Sequence, residues 1–416
     1  MTINFVKTDV AAECIHLSYP YLFAFKEEGT EIYRIQKACL YHIATISQSL
    51  VYFGGVLVDP SRDTVIIEQE RLYVFNLHTG RQVKTISLFG SPRTHLISYD
   101  HGLVQVTVEG RAGEPPVEED GILVLDPFGP ESAEQEYSIH IRRPRTNNFF
   151  VTNHVFFPQG GGAVIVEHSA YSDGPLQLLY WKSEDLQPNN ASSSPTRSID
   201  IPMTLPGGDL IEAIHSTPID GSTFALCKGD IHMGGNARLT TIYAISVPSL
   251  DIVWSAESIV GESTSIHYVP TQGVVVVIGE AEENLSYARS WIVALDAQTG
   301  ALRRFTTFHM QEMGKRLIAC QLTTCLSEEG LVTVAENPYI VLFFQDGDVA
   351  ILSLADFLEK GIPDNDWEAL MEWSMYCATH LRVDNWIQRR AGKSIGISNN
   401  CVAVLDDEDK IAVLTW

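Results

Sequence analysis

The chain has 416 residues, 45% hydrophobic and 19% charged, with 52 acidic against 28 basic side chains and a formal net charge of −24. That is ample material for a buried core, and so acidic a surface argues against general nucleic-acid binding and against attachment to anionic bilayers. No run of about 18 apolar residues is present to cross a membrane, and the opening MTINFVKTDVAAECIHLSY lacks the basic-then-apolar order of a secretory leader.

Taken in chain order, the first expected element is a short strand, INFVKT at 3–8, followed by the strand–turn–strand segment YPYLFAFKEEGTEIYRIQ at 19–36. Residues 72–88, LYVFNLHTGRQVKTISL, alternate apolar and polar positions, reach Asn76, turn on Thr79-Gly80 and alternate again. This is a hairpin signal, with Gly80 at a position needing positive φ and Asn76 able to bond into the turn backbone. The same frame returns at 123–129 (LVLDPFG), 179–186 (LYWKSEDL), 243–250 (YAISVPSL) and 291–308 (WIVALDAQTGALRRFTTF). Weaker copies stand at 33–36 and 350–356, and the chain closes on KIAVLTW.

With the polar residue before each turn as a marker, the copies fall at 36, 76, 126, 182, 246, 296, 353 and 415. The spacing of roughly 40–64 residues, with four short strands per unit, predicts an all-β, seven- or eight-bladed β-propeller over 1–416 as a single domain. Its last unit offers only SIGISNN, CVAVLDD and KIAVLTW, so the N-terminal strand is expected to supply the fourth and close the fold. The rhythm fails near 356–380. There DNDWEALMEWSMYC (364–377) predicts a short helical insertion with Trp367, Leu370, Met371 and Ser374 on one face. That face either serves the local core or docks a partner through Trp367, Leu370 and Met371.

The repeats resemble the broad WD40-like and quinoprotein-like propeller superfamily, WIVALDAQTGALRRF most of all, although no strand ends in Trp-Asp and no unit opens with Gly-His. Segment 19–36 is similar to the opening of citron-homology propellers and of the propeller part of fungal F-box proteins. That likeness implies a non-catalytic adaptor for vesicle tethering or ubiquitin-ligase substrate choice. A quinone is not expected, because adjacent cysteines are missing and only Trp254 and Trp291 sit near repeat hairpins.

No metal or catalytic constellation has the right spacing. His154 with Glu167-His168, and the segment 228–236 read as a loop, show no recognised ligand pattern. The glycines of 159–163 lead into a strand rather than a helix, and read as a turn between strands instead of a phosphate loop. The expectation is therefore no catalytic residue, cofactor or metal, and more simply a non-enzymatic scaffold that binds proteins. A hydrolase or lyase with a site in the central channel stays open as an alternative. Arg142, Arg143 and Arg145 form a basic cluster suited to an acidic peptide or phosphate, or else a solvated connection. Ser194-Pro195 ends a Ser/Pro/Asn-rich loop, as a phosphorylation site or as plain flexible chain. Seven scattered cysteines without a C-x-x-C pair read as buried small hydrophobes of a reducing compartment, the cytoplasm or nucleus rather than the exterior.

Overall fold

The computed structural model describes residues 2–416 except 51–54, 70, 87–90, 101–102, 110–118, 126–138, 145–148, 158–161, 170–174, 183–184, 186–193, 202–209, 233–236, 257–258, 285–286, 310–316, 328–331, 345, 362–369, 371–373 and 379–393. Among the described residues there are nine sheets, and eight of them carry four strands or more. In chain order the eight cover 14–46, 56–86, 91–144, 149–201, 210–260, 262–309, 317–378 and 395–415, and are called the first to eighth sheets here. In the first four and the sixth the strands follow one another in sequence as a meander, the repeating blade of a β-propeller. The seventh is interrupted by a small hairpin, the fifth carries an extra short strand and the eighth borrows one from elsewhere in the chain. All eight markers fall at the last residue of a sheet's third strand or one residue beyond it, as at Gln36, Asn76, Ser246, Asp296 and Thr415.

The eighth sheet takes its outer strand from the other end of the chain. Asn4–Ala11 pairs antiparallel with Lys410–Thr415, Phe5 opposite Leu414 and Lys7 opposite Ala412. The pairing is pinned by Asp406, whose side chain is wholly buried. One carboxylate oxygen accepts from the backbone N–H groups of Glu408 and Lys410, both at 2.9 Å, and the other meets Lys7 Nζ at 2.6 Å. Burial works to raise the Asp406 pKa, but Lys7 and the two N–H groups together hold it below the ordinary carboxylate range.

The chain divides into two compact units. One comprises Met1–Ser87, Tyr99–Gly102 and His309–Trp416, the other Leu88–Ser98 and Leu103–Phe308. In the first, strand alternation splits each sheet between two cores. Phe23, Phe25 and Ile32 pack with Val56, Val65 and Phe75 of the second sheet, whereas Leu22, Ala24 and Ile35 pack with Ala403, Ile411 and Val413 of the eighth. Val341, Phe343 and Ile351 of the seventh sheet meet the eighth sheet's Val402 and Leu414. In the second unit, Phe224 and Leu226 face the fourth sheet, and Ala225 and Cys227 face the sixth. Covering on both faces explains why central strands such as YIVLFF and VVVVIG read as unbroken apolar runs, and each fully buried Leu, Val or Phe contributes about 1.5–3 kcal/mol.

The repeated turn has one geometry. In the second sheet Gly80 N–H donates to Asn76 O and Asn76 N–H to Arg81 O, both at 2.9 Å, while Asn76 Oδ1 accepts from Thr79 N–H, also at 2.9 Å. The sixth sheet repeats this with Gly300 to Asp296 and Asp296 to Ala301 at 2.8 Å, and Thr299 N–H to Asp296 Oδ1 at 3.0 Å. The fifth uses Leu250 to Ser246 at 2.8 Å and Ser246 to Asp251 at 3.0 Å. Gly80, Leu250 and Gly300 all occupy the left-handed region, at φ 66°, 56° and 69°.

Two expectations need correction. A helix, Leu354–Lys360, capped by Ser353 and burying Leu354 and Phe357, starts two residues before the expected insertion near 356–380. Within the insertion Leu370 is helical, while 362–369 and 371–373 lie outside the described residues. Met375–Ala378, read as helical, is instead the sheet's outer strand, with Met375 opposite Ile351. Tyr and Cys suit a strand, and pairing with an already formed edge overrides the local 3.6-residue pattern. The segment 228–236, read as a loop, begins as the end of a strand, Thr223–His232, in which Lys228 and Asp230 are fully buried. The glycine run at 159–163 does connect two strands, Phe149–Phe157 and Gly162–Ser169.

The seventh sheet also carries a small hairpin, Thr324–Leu326 with Val332–Val334. It reaches over the eighth sheet, where Ser398 Oγ and the Asn399 N–H both donate to Thr324 O, and its Leu326 packs on the core between the first and second sheets.

Candidate interaction rim

The site is built from the outermost strands. Four of these, Cys39–Ile46, Gln82–Ile86, Ile252–Ser255 and Leu302–His309, end their sheets and leave one backbone edge unpaired. Eight large apolar side chains are exposed among the described residues, between 43 and 67%. Six of them lie on these four strands: Tyr41, Val83, Ile252, Val253, Leu302 and Phe305. An exposed, apolar edge is a template for another chain.

Local folding sets these side chains in place. In the second and sixth sheets the turn before the outer strand docks on the outer strand of the preceding sheet. Trp254 Nε1 donates to Ala297 O at 3.0 Å, and a Cβ placed on Gly300 would lie 2.7 Å from the Trp254 ring. Ile252 and Val253 therefore stand on one side of a fixed seam and Leu302, two residues past Gly300, on the other. Asp296 closes the turn, its carboxyl held below the usual range by the Thr299 hydroxyl and by Arg303 at 2.9 Å. Between the first and second sheets Gly80 faces the Thr45 carbonyl as closely. The adjoining groove, about 590 Å³, is lined by Thr45, Ser47, Gln48, Phe75, Arg81 and Gln82 among others.

A second set of polar side chains is buried between sheets of the second unit. Lys228 Nζ lies 3.0 Å from Asp230 Oδ1, both side chains fully buried, and burial lowers the Lys228 pKa against the opposing pull of Asp230. At the seam of the fifth and sixth sheets, burial lowers the pKa of His215, against a bond that the ring donates to the Ser263 backbone, which raises it. Burial likewise brings His267 down to about 4, with the His215 charge adding to the effect. Burial pushes the Cys227 thiol up to about 12, partly offset by a bond from Ser263. Among the described residues no three His, Cys, Asp or Glu side chains gather to hold a metal ion. Burial thus favours the uncharged form of His215, His267, Cys227 and Lys228 alike.

The residues singled out from the sequence are scattered. Arg142 and Arg143 belong to the third sheet's outer strand, Ile139–Pro144, opposite Gly121 and Asp120. Leu370 is buried, at 1% exposure. Arg145, Trp367 and Met371 lie outside the described residues. The rim residues were missed, though a signal existed. In DIVWS and ALRRF apolar side chains directly follow the turn, and Ile252 and Val253 are consecutive, so one faces away from the core whichever way the strand alternates. Of the cysteines, Cys14, Cys227 and Cys401 are buried as expected, Cys320 and Cys325 are half-buried, and Cys39 is exposed; all six are free thiols.

No family model and no curated protein matches the chain. Solved structures do. BamB from Moraxella catarrhalis is 13% identical, covering 100% of this chain and 98% of its own at a TM-score of 0.48. The computationally designed protein Ika8 is 10% identical, covering 99% and 98%, with a TM-score of 0.50. The WD40 β-propeller domain of Doa1 is 10% identical, covering 83% and 94%, with a TM-score of 0.45. The chain has a β-propeller fold, and at these identities the likeness is one of fold. No helix among the described residues is long and apolar enough to cross a membrane.

Proposed function

We propose that this chain is a non-enzymatic, intracellular interaction scaffold that holds protein partners along its outer rim. The observation that supports it is the set of exposed apolar side chains on unpaired outer strands, above all Ile252, Val253 and Leu302 around the Trp254 seam. A partner strand laid on such an edge gains main-chain hydrogen bonds and buries the remaining apolar area, about 1 kcal/mol for each half-exposed side chain. The six free thiols support a reducing compartment.

The test uses the tagged full-length protein and its I252T/V253T/L302T variant, which has β-branched threonine at all three exposed strand positions. Both are recovered from native cells and their co-eluting proteins quantified. A stoichiometric partner retained by the wild type and lost by the variant, with melting temperature unchanged, is the expected result. A partner bound equally by both forms removes the rim as the binding surface, and the absence of any partner removes the scaffold reading.

A further inference from the structure

We propose that Ser194 is a phosphoacceptor for a proline-directed serine/threonine protein kinase, and that Arg197 holds the resulting phosphate. The segment reads Ser194-Pro195-Thr196-Arg197, with proline directly after the acceptor and a cation two residues further on. Ser194 is exposed and leads into Arg197–Ile201, the outer strand of the fourth sheet. Pro195 has no N–H to give to a neighbouring strand and favours the extended backbone that a kinase cleft accepts.

The neighbouring hydroxyl, on Thr196, is engaged. Thr196 Oγ1 donates to Asp185 Oδ2 at 2.8 Å and accepts from the Lys182 N–H at 3.3 Å, and its own N–H donates to Tyr180 O at 2.7 Å. Thr196 is thus tied on three sides and is followed by Arg rather than Pro. Arg197, by contrast, is loosely committed. It sits opposite Tyr180, is half-exposed, and its guanidinium lies 3.9 Å from Asp251, a carboxylate that is itself 72% exposed. An ion pair so long and so wet holds little. A phosphate three residues away carries about −1.5 to −2 charges and three acceptor oxygens, and takes a guanidinium bidentately. Lys182, also exposed, is a second cation beside the segment, and Asp185 is the opposing charge.

In the transfer, Ser194 Oγ attacks the γ-phosphorus of ATP. The Oγ–P bond forms as the bond from that phosphorus to the β,γ-bridging oxygen breaks. The hydroxyl proton passes to the kinase's catalytic base, and ADP leaves. Arg197 then turns from Asp251, the residue before the exposed pair Ile252 and Val253, towards the phosphoserine. The site does not depend on the rim having a partner.

The test incubates the folded full-length protein with a proline-directed kinase and Mg-ATP, maps the product by mass spectrometry, and titrates the phosphoserine by 31P NMR. Expected is one phosphate on Ser194, absent from S194A, with a second pKa about half a unit lower in the wild type than in R197Q. No incorporation into the folded chain, or incorporation that S194A leaves unchanged, overturns the acceptor site. Equal phosphate pKa values in wild type and R197Q overturn the role of Arg197.

Discussion

Replacing Gly300 with alanine separates two contributions of the repeated turn. Gly300 sits at φ 69°, where an L residue costs about 1 kcal/mol. Its new Cβ would also lie 2.7 Å from the Trp254 ring, so the ring must move, and with it the 3.0 Å bond from Nε1 to Ala297 O. Losing that bond costs about 1 kcal/mol, and disturbing the ring's packing about 1 kcal/mol more. The expected total is therefore about 3 kcal/mol. Gly273, in the same sheet, supplies the control: its φ is 61°, yet a Cβ there meets nothing within 4 Å. G273A should cost the backbone contribution alone, about 1 kcal/mol. Thermal melting of the two variants should show losses of about 2–4 °C for G273A and about 6–12 °C for G300A, for a cooperative unit of this size. Near-ultraviolet circular dichroism should change only in G300A, as the Trp254 environment is altered. Equal losses in both would refute the docking argument and leave backbone strain as the whole effect.

Other expectations follow from the same geometry. L250G relieves positive-φ strain but removes a side chain that is 1% exposed, so urea denaturation should show a net loss of about 1–2 kcal/mol rather than the gain expected from the turn alone. Deleting residues 2–9 strips the eighth sheet of its outer strand and takes Lys7 from the buried Asp406 carboxylate; the melting temperature should fall sharply, and an unchanged melt would show that the pairing is dispensable. His267 has its folded pKa lowered to about 4 from 6.5, so the unfolded chain binds the extra proton and stability falls as pH drops through that window. Between pH 7.5 and 5 the wild type should lose about 2 kcal/mol relative to H267Q, read from urea midpoints at each pH, and parallel pH profiles would count against burial of a neutral imidazole.

What the sequence disclosed was the local chemistry of turns. Asn76 and Asp296 with a glycine four residues on bond within their own loops, so the pattern survives whatever surrounds it, and the markers therefore fell at the ends of third strands. The pairing of Asn4–Ala11 with Lys410–Thr415 was legible because three strands at one end implied a fourth elsewhere. Other features depend on neighbours remote in the chain. Leu250 takes a left-handed conformation because the core of the fourth and fifth sheets holds its side chain, a contact no turn rule contains. Met375–Ala378 carries helical spacing but adopts the conformation that the edge at Asp348–Ile351 dictates. Lys228 and Asp230 look like loop residues in isolation, and their ion pair at 3.0 Å helps them enter a strand. The exposure of Ile252 and Val253 was hidden for a related reason: apolar residues in a strand imply burial until the strand is known to be the last in its sheet.

The borrowed outer strand also imposes an order on biosynthesis. Asn4–Ala11 leaves the ribosome some 400 residues before its partner Lys410–Thr415, tens of seconds at ordinary elongation rates. Through that interval the segment has no strand to pair with, and the eighth sheet is the last to be completed. A nascent chain halted before residue 410 should therefore leave Asn4–Ala11 open to proteolysis or to chaperones, and emergence of Lys410–Thr415 would bring the segment under protection.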